Sequence, residues 1–337
     1  MACSRSQPPK IQFAPSPSGA FHIGSLRTYL ANYLWARRNR WMLALKIDGS
    51  ATALTRFPYI RSLLECLAWL KLEPDETSFS PLLMREFFQA RPLSRLLRKV
   101  MATAAQCYLC SCALEAESEE RARAISYDYA EDPCAVEPLA MDPNCAILAA
   151  GPDSAAVSGP RYILRLPLSS KEPLRTVAGG VLCQQFANPV IGVIAGNRFY
   201  AVGALAMYLM DLMNGITCAI RGVDIASIVA ATQTVGGRIG AGLPETLLVA
   251  IVGDSDGAKL SKSAGAEGVL VLRDKAIFPE RVLNNVFRSL NPHAGHGRGL
   301  SLGQMIDQFD LRQAPEYDVR VGADGLINLR AVRAREK

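Results

Sequence analysis

The sequence predicts an α/β protein built on a doubly wound parallel sheet, and three observations support this fold class. An extended run at 11–14 meets prolines and then Gly19, which favour a loop after a strand. Apolar residues recur at helical spacing over 23–36. A second apolar run at 42–47 and an amphipathic stretch at 60–70 repeat the order of strand and helix, as at the start of a parallel sheet with helical connections.

The pattern changes near residue 105, where closely spaced cysteines open an acidic stretch that leads into an Ala-, Gly- and Pro-rich segment at 137–160. Strand-like runs return at 161–166 and 189–194, and apolar segments follow at 199–222 and 247–253. We therefore predict a sheet that is interrupted by an insertion and then resumed.

The last part of the chain is helical in pattern. The stretches PERVLNNVFRSL at 279–290 and LGQMIDQFDL at 302–311 carry apolar residues at helical spacing. They predict a small helical appendage at the carboxyl end.

Composition narrows the class of protein. A chain of 337 residues is long enough for two or three domains. Half of its residues are apolar, and its formal net charge is +6. Nine irregularly spaced cysteines without a signal-like leader favour a reducing compartment and make disulfides unexpected. The apolar stretch at 199–220 contains Asp211 and Asn214, which argues against a membrane span. We expect a cytoplasmic protein that acts as a monomer.

Two short motifs about 230 residues apart carry the chemistry. Residues 13–25 read FAPSPSGAFHIGS and place a His-x-Gly turn at a helix start, while 257–263 read GAKLSKS and supply two lysines. A helix start offers unpaired backbone amides to an anion, and lysines stabilise charge that develops on phosphate. The pair predicts one site for phosphate chemistry on ATP.

These residues resemble the catalytic core of class I glutamyl-tRNA synthetases, and within that family the short form that glutamylates queuosine on tRNA(Asp). APSPSG followed by HIGSL at 14–26 is similar to the short form, and GITCAIRGVD at 215–224 is similar to the family's GITHVIRGED. GAKLSKS resembles the KMSKS loop, and SLGQMIDQFDL at 301–311 resembles the helix that enters the stem-contact region. The resemblance implies a Rossmann-like sheet of the HUP type.

The same resemblance implies an enzyme that activates an amino acid with ATP and Mg²⁺ and transfers it to a tRNA or a related acceptor. The implied ATP-binding residues lie in the two motifs: Ser16, His22, Gly24, Ser25, Ser261 and Lys262. His22, Lys262 and Lys259 are the expected catalytic residues, because attack of a carboxylate on the α-phosphorus builds negative charge that fixed donors must stabilise. A helix-capping histidine and a solvated loop lysine are the simpler alternatives.

The amino-acid pocket departs from the family pattern. The positions that correspond to the family's amino-acid-binding residues are Gln12, Ala14, Ser16, Asp48, Gly203 and Arg221. Gln12 stands where the family has the arginine that grips the substrate's side-chain carboxylate, and a neutral amide cannot balance that charge. The family's acidic residue that binds the substrate ammonium corresponds to Asp48, whose side chain is shorter than glutamate. Val223 replaces the glutamate of RGED. Arg221 is kept, either to hold a carboxylate or in a structural salt bridge.

One position of the amino-acid pocket corresponds to either of two residues. A tyrosine of the family falls on Gly203 when counted without gaps back from the GIT segment through Asp211. A three-residue insertion would place it at Tyr200 instead, and we favour the ungapped count. On either count we expect glutamate to be a poor substrate.

The cysteines of the insertion resemble the zinc knuckle of the short form. The implied ligands are Cys110, Cys112, Tyr129 and Cys134, with Tyr127 as the alternative tyrosine and Cys107 and Cys145 as spare candidates. Zinc favours four ligands in a tetrahedron, and a Cys-x-Cys turn supplies two of them. Buried free thiols without a metal are the competing interpretation.

We therefore predict four segments and one main function. The segments are the first half of a nucleotide-binding Rossmann-like domain at 8–105, an insertion with a zinc knuckle at 106–180, the second half of the domain with the KLSKS loop at 181–274, and a helical stem-contact-like region at 275–337. The main hypothesis is an active synthetase-like ligase with altered amino-acid choice. The alternative is a weakened paralogue that binds nucleotide or tRNA as an accessory module.

Overall fold

A computed structural model describes most of the predicted α/β core. The described residues are 8–15, 19–47, 57–79, 108–110, 135–138, 161–165, 172–176, 181–184, 190–195, 198–201, 203–240, 242–254, 256, 260, 267–294, 299–315 and 319–329, and for the strands between 108 and 201 the description is of the backbone.

The described elements alternate strand and helix at the amino end of the chain, and near the carboxyl end three α-helices follow one another. The strands are β1 Lys10–Phe13, β2 Met42–Ile47, β3 Glu76–Phe79, β4 Tyr108–Cys110, β5 Ala135–Pro138, β6 Arg161–Arg165, β7 Glu172–Thr176, β8 Val181–Gln184, β9 Val190–Ala195, β10 Arg198–Ala201, β11 Cys218–Gly222, β12 Glu245–Val249, β13 Val252–Gly253 and β14 Val319–Arg320. The α-helices are α1 Ile23–Asn39, α2 Phe57–Trp69, α3 Gly203–Met213, α4 Ala226–Ile239, α5 Val269–Asp274, α6 Pro279–Leu290 and α7 Leu302–Gln308.

The main sheet has the strand order β3-β2-β1-β11-β12-β7-β8 and is parallel except for the β7–β8 hairpin at one edge. The chain winds outward from β1 through β2 to β3, and β11 and β12 lie on the other side of β1. This order confirms the predicted parallel α/β class. It also creates a switch point between β1 and β11, where connections on the two sides diverge and ligands of such sheets bind.

One face of this sheet forms the main apolar core. Ile11 on β1 and Ile220 on β11 face α1, whose Leu26, Leu30 and Leu34 are fully buried against them in the same cluster. The helix begins at Ile23, as predicted from the apolar spacing, and continues one turn past Ala36 to Asn39. It ends where Arg40 adopts a left-handed conformation with φ 58°, and that residue's N–H bonds back to the last turn.

A second, five-stranded sheet is antiparallel, with the order β10-β9-β6-β4-β5. The run near 190, which we expected in the resumed parallel sheet, lies here instead, together with the run near 161, which falls within the predicted insertion. The hairpin of β7 and β8, between them in sequence, joins the main sheet. Apolar strand patterns alone do not reveal which sheet a strand joins, because either sheet satisfies them. The segment boundaries at 105 and 180 stay predictions.

The helices near the carboxyl end pack into the main core. Val282, Val286 and Phe287 of α6 are fully buried in the cluster that contains α1, and Met305 of α7 is buried in the same cluster. The helical prediction for 279–290 is thus confirmed, but in the described residues α6 and α7 do not form a separate appendage. An amphipathic helix buries its apolar side wherever a complementary face exists, and α1 provides one.

Two cysteines with described side chains, Cys66 and Cys218, are free and buried. Burial raises the pKa of each thiol to about 12. The apolar stretch at 199–220 divides between β10, α3 and the start of β11. No helix among the described residues is long and apolar enough to cross a bilayer.

Candidate active site

Three of the predicted site residues, Gln12, His22 and Arg221, lie near the carboxyl ends of β1 and β11, at the switch point of the sheet. Gln12 is the next-to-last residue of β1, and Arg221 holds the same place in β11. The loop after β1 leads directly to His22 and the start of α1. Two strand ends and one helix start thus surround the crevice in which parallel α/β sheets bind ligands.

His22 is the N-cap of α1. Its Nδ1 accepts a hydrogen bond from the backbone N–H of Ser25 at 3.3 Å, and its Nε2 lies 3.2 Å from the Ser25 hydroxyl. A backbone N–H only donates, so Nδ1 is unprotonated and the neutral ring carries its proton on Nε2. The capping role is therefore real, and Nε2–H at the helix start faces the Ser25 hydroxyl, to which it donates.

Gly24 leaves room for the His22 ring. A Cβ at this position would lie 3.1 Å from Nδ1 of His22, 3.2 Å from Cε1 and 3.3 Å from the Cβ of Val252. All three distances are tighter than ordinary van der Waals contact. The glycine of the His-x-Gly turn thus lets the imidazole, the helix start and β13 approach one another.

The KLSKS loop is anchored beside this helix start on both sides. Before the second lysine, the N–H of Leu260 donates to the carbonyl of Val252 at 3.1 Å. After the loop, Gly268 forms a β-bridge with His22, and the N–H of Val269 donates to the carbonyl of Phe21 at 2.8 Å. The two motifs, far apart in sequence, are therefore joined in the fold.

Gln12, Asp211 and Arg221 form a buried polar triad at the strand ends. The carboxylate of Asp211 accepts from Gln12 Nε2 at 2.8 Å through Oδ1, and it pairs with Arg221 at 2.6 Å through Oδ2. The other terminal nitrogen of Arg221 contacts the sulfur of Met207. Arg221 therefore forms the structural salt bridge that the sequence leaves open as an alternative.

One atom of the triad lacks a partner. Oε1 of Gln12 has no hydrogen-bond partner in the described part of the chain. The atom is buried, and the residue as a whole is only 3% exposed. Leaving a buried acceptor unpaired costs about 1–3 kcal/mol. Such atoms are few in native proteins, and a water, an ion or a ligand can supply the missing hydrogen bond.

Gln12 and Arg221 of the triad lie on one face of the parallel sheet. The register pairs Gln12 with Ala44, and Arg221 with Leu248, so strand alternation places Lys46 and Thr246 on this same face. Lys46 is buried and has a polar interaction of its own. Behind Arg221 and Asp211 is a cavity of about 10 Å³, lined also by Thr232 and Thr246, which has room for a single water and not for an amino acid.

Asp211 was missed as a site residue by sequence reasoning. In the sequence, Asp211 indicates only that 199–220 is not a membrane span and gives a reference position for counting along that stretch. The available signal was a single acid within a long apolar run, since a carboxylate in such a run requires a cation or hydrogen-bond donors. The identity of its partners depends on contacts 10 and 199 residues away in sequence.

Gly203 and Tyr200 remain alternatives for the family's tyrosine. Gly203 is the first residue of α3, and Tyr200 lies in β10 opposite Val193. Gly203 precedes Asp211 by eight residues on the same helix, a rise of about 12 Å along its axis. It therefore does not contact the triad through α3. Ala14 follows β1 and is exposed.

Several predicted site residues lie outside the described part of the chain: Ser16, Asp48, Lys259, Ser261, Lys262, Cys112, Tyr129 and Cys134. Cys110 is described by its backbone, which pairs with Ala135, the neighbour of Cys134. Strand pairing thus brings positions 110 and 135 together, and the zinc knuckle stays a prediction. Within the ranges that the structure describes, no three His, Cys, Asp or Glu side chains are grouped so that they could bind a metal ion.

Comparison with known proteins links the motifs and the fold to one family. The model of "tRNA synthetases class I (E and Q), catalytic domain" matches residues 10–316. Glutamate–tRNA ligase 1 of Acidiphilium cryptum is 28% identical over 326 residues, which cover 97% of this chain and 66% of that protein. Glutamate–tRNA ligase 2 of Nitrosococcus oceani is 30% identical over 315 residues, covering 90% and 63%.

Solved structures support the same fold. The glutamate–tRNA synthetase of Elizabethkingia anophelis has a TM-score of 0.70 at 20% identity, covering 95% of this chain and 69% of that one. At that identity the likeness concerns the fold alone. The chain spans about 60–66% of the length of the curated glutamate–tRNA ligases it matches.

Proposed function

The chain belongs to the family of class I tRNA synthetase catalytic domains for glutamate and glutamine, and from that premise we propose that it activates an amino acid with ATP. The product is an aminoacyl-adenylate, which is passed to a tRNA or a related acceptor. The observation that carries this proposal is the junction of the two phosphate motifs at the start of α1, where Leu260 and Gly268 anchor the lysine loop beside His22.

The nucleotide half of the reaction follows from the chemistry of this junction. The first turn of α1 presents backbone amides and the positive end of the helix dipole to the phosphates. His22 Nε2–H and the side chains of Lys259 and Lys262 are donors for the oxygens of the α- and β-phosphates. Mg²⁺ supplies further charge neutralisation when ATP is bound.

The bond changes balance without any other reactant. A carboxylate oxygen of the amino acid attacks the α-phosphorus, the bond from that phosphorus to the bridging oxygen of the β-phosphate breaks, and pyrophosphate leaves. Negative charge grows on the non-bridging oxygens as the reaction proceeds. Fixed donors around those oxygens therefore lower the barrier more than they stabilise bound ATP.

The amino-acid half supports a changed specificity. The family's arginine is Gln12 here, and Arg221 is already paired with Asp211, so the triad presents no uncommitted cation to a substrate carboxylate. Burying a carboxylate beside a neutral amide costs a few kcal/mol, on the order of the penalty for an unpaired buried charge. We therefore propose that glutamate is a poor substrate.

The acceptor and the metal are further parts of the proposal. A tRNA is the expected acceptor because the matched relatives are tRNA ligases, and a modified base, as in the short queuosine form, fits the same reaction. A structural zinc held by Cys110, Cys112, Cys134 and Tyr129 is proposed from their spacing and from the pairing of Cys110 with Ala135.

Exchange of labelled pyrophosphate into ATP tests the proposal directly. Purified protein is assayed with each amino acid, with and without unfractionated tRNA, and the Lys262→Ala variant is the matched control for the lysine loop. Exchange with at least one amino acid, lost in the variant, is expected. Absence of exchange with every amino acid, in protein that still binds ATP, would contradict the proposal.

That negative result would favour a second function, an accessory module that binds nucleotide or tRNA without activating an amino acid. The observation in its favour is the buried triad, in which Arg221 forms an ion pair with Asp211 and contacts Met207. The two functions differ in the outcome for Lys262→Ala. An accessory module would lose ATP affinity in this variant but would have no exchange activity to lose.

A further inference from the structure

We propose that Asp211 determines the amino-acid specificity of this site by fixing the orientation of Gln12, so that the pocket accepts an uncharged side chain ending in a hydrogen-bond donor. The substrate class is thus an amino acid with a primary amide or a hydroxyl in its side chain. This inference rests on the proposed function, because it concerns the substrate of the same site.

The orientation of the Gln12 amide follows from the Asp211 carboxylate. Oδ2 of Asp211 is bound to Arg221 at 2.6 Å, and Oδ1 lies 2.8 Å from the Gln12 amide. A carboxylate oxygen only accepts, so the Gln12 group that faces it must be the NH₂ group. Reversing the amide would put two acceptors in contact. Asp211 therefore holds Oε1 of Gln12 on the side away from itself.

The side of the Gln12 amide that faces away from Asp211 is consequently an acceptor that lacks a donor. Oε1 is buried and unpaired within the described residues, and Gln12 lies at the carboxyl end of β1 beside the switch point. A donor from a bound ligand would satisfy this atom, whereas a carboxylate oxygen would leave two acceptors facing each other. The geometry thus selects an amide NH₂ or a hydroxyl over a carboxylate of the same size.

The charge of the triad leads to the same selection. Arg221 carries one positive charge, Asp211 one negative charge and Gln12 none, so the triad as a whole is neutral. Asp211 also cancels the cation that would otherwise attract an acidic side chain. Lys46, buried on the same face of the sheet, is a further cation and has a polar interaction of its own.

Activation of isosteric pairs of amino acids tests the inference. Pyrophosphate exchange, with and without tRNA, compares glutamine with glutamate, asparagine with aspartate, and threonine with valine. Affinities for the glutaminyl and glutamyl sulfamoyl-adenosine analogues, measured by calorimetry, give a readout without turnover. We expect the donor-bearing member to be favoured at least tenfold in the pair that is activated best, and the glutaminyl analogue to bind more tightly than the glutamyl one.

Two variants test the role of Asp211 as a positioning residue. Asp211→Asn lets the Gln12 amide reverse and removes the charge opposite Arg221, so the ratio of amide to carboxylate activation should fall at least tenfold. Gln12→Met removes the acceptor and should abolish the preference for threonine over valine. Asp307→Asn, an exposed acid on α7, is the control and should leave every ratio unchanged. A ratio cancels any loss of folded protein, so the comparison holds even in a destabilised variant.

The outcomes separate the inference from the proposed function. In the pair that is activated best, equal use of the two members, or preference for the member without the donor, would overturn the inference and leave the function standing. An unchanged ratio in Asp211→Asn would overturn it as well. If no amino acid is activated and neither analogue binds, the proposed function fails and the inference fails with it.

Discussion

The two halves of the candidate site are built in different ways. At the nucleotide half, His22 caps α1 through contacts with Ser25, three residues away. At the amino-acid half, Gln12 meets Asp211 across 199 positions of the chain, and Asp211 meets Arg221 across 10. Local geometry therefore maintains the helix cap of the first half, although the lysine loop reaches it only through long-range contacts with Val252, Phe21 and His22. The second half depends on three side chains that only the folded sheet brings together, so substitutions there change its chemistry without disturbing the first.

The largest expected effect is on the stability of the amino-acid half. Arg221→Met leaves Asp211 buried at 2% side-chain exposure without its cation, and we expect the free energy of unfolding to fall by about 3–5 kcal/mol. Urea denaturation followed by circular dichroism measures this. The double variant Arg221→Met with Asp211→Asn removes both charges and should recover most of the loss. Equal destabilisation in the single and double variants would show that packing of Arg221 matters more than the pair.

The next largest effect belongs to the lysine loop of the nucleotide half. Lys262→Ala removes one donor from the phosphate oxygens, and we expect activation to slow on the order of a hundredfold or more. Single-turnover formation of the adenylate measures the step. Lys275→Ala, which breaks only an exposed ion pair with Glu267, is the control and should change the rate little. Similar rates in both variants would remove Lys262 from the reaction.

His22 allows the capping and phosphate roles to be separated. His22→Ala loses both the cap and the Nε2–H donor, and should lower the free energy of unfolding by about 1 kcal/mol and slow activation about tenfold or more. His22→Asn keeps a side-chain acceptor for the Ser25 N–H, because asparagine is a strong N-cap. We expect Asn to restore stability without restoring the rate. A variant that regains both would reduce His22 to a helix cap.

The smallest expected effect is at Gly24. A Cβ there would press on the His22 ring, so Gly24→Ala should displace the imidazole by a few tenths of an ångström and slow activation a few-fold, with a stability loss of about 1 kcal/mol. Gly237→Ala on α4, where a Cβ meets no atom within 4 Å, is the matched control. That change should stabilise the protein slightly, by about 0.5–1 kcal/mol. If both variants behave alike, the crowding at Gly24 has no functional consequence.

Much of the parallel core was predictable because its elements are specified locally. The strand at Met42–Ile47 and the helix that begins at Ile23 match the prediction at these boundaries, since apolar spacing and the breaks before His22 define them. The strands Arg161–Arg165 and Val190–Ala195 were predicted as strands but lie in the antiparallel sheet. Strand pairing is a long-range choice among similar apolar runs, and local pattern does not encode it.

The sequence by itself determined the two phosphate motifs, the parallel α/β class and the absence of the family's arginine at Gln12. Each of these depends on residue identity or on periodicity within a short window. Only the tertiary structure decided that the lysine loop is anchored at His22, that Arg221 is bound by Asp211, and that Oε1 of Gln12 is left as the unpaired acceptor. These facts arise where strands distant in sequence align, because the partner of a buried polar group is set by the register of the sheet and the packing of α3.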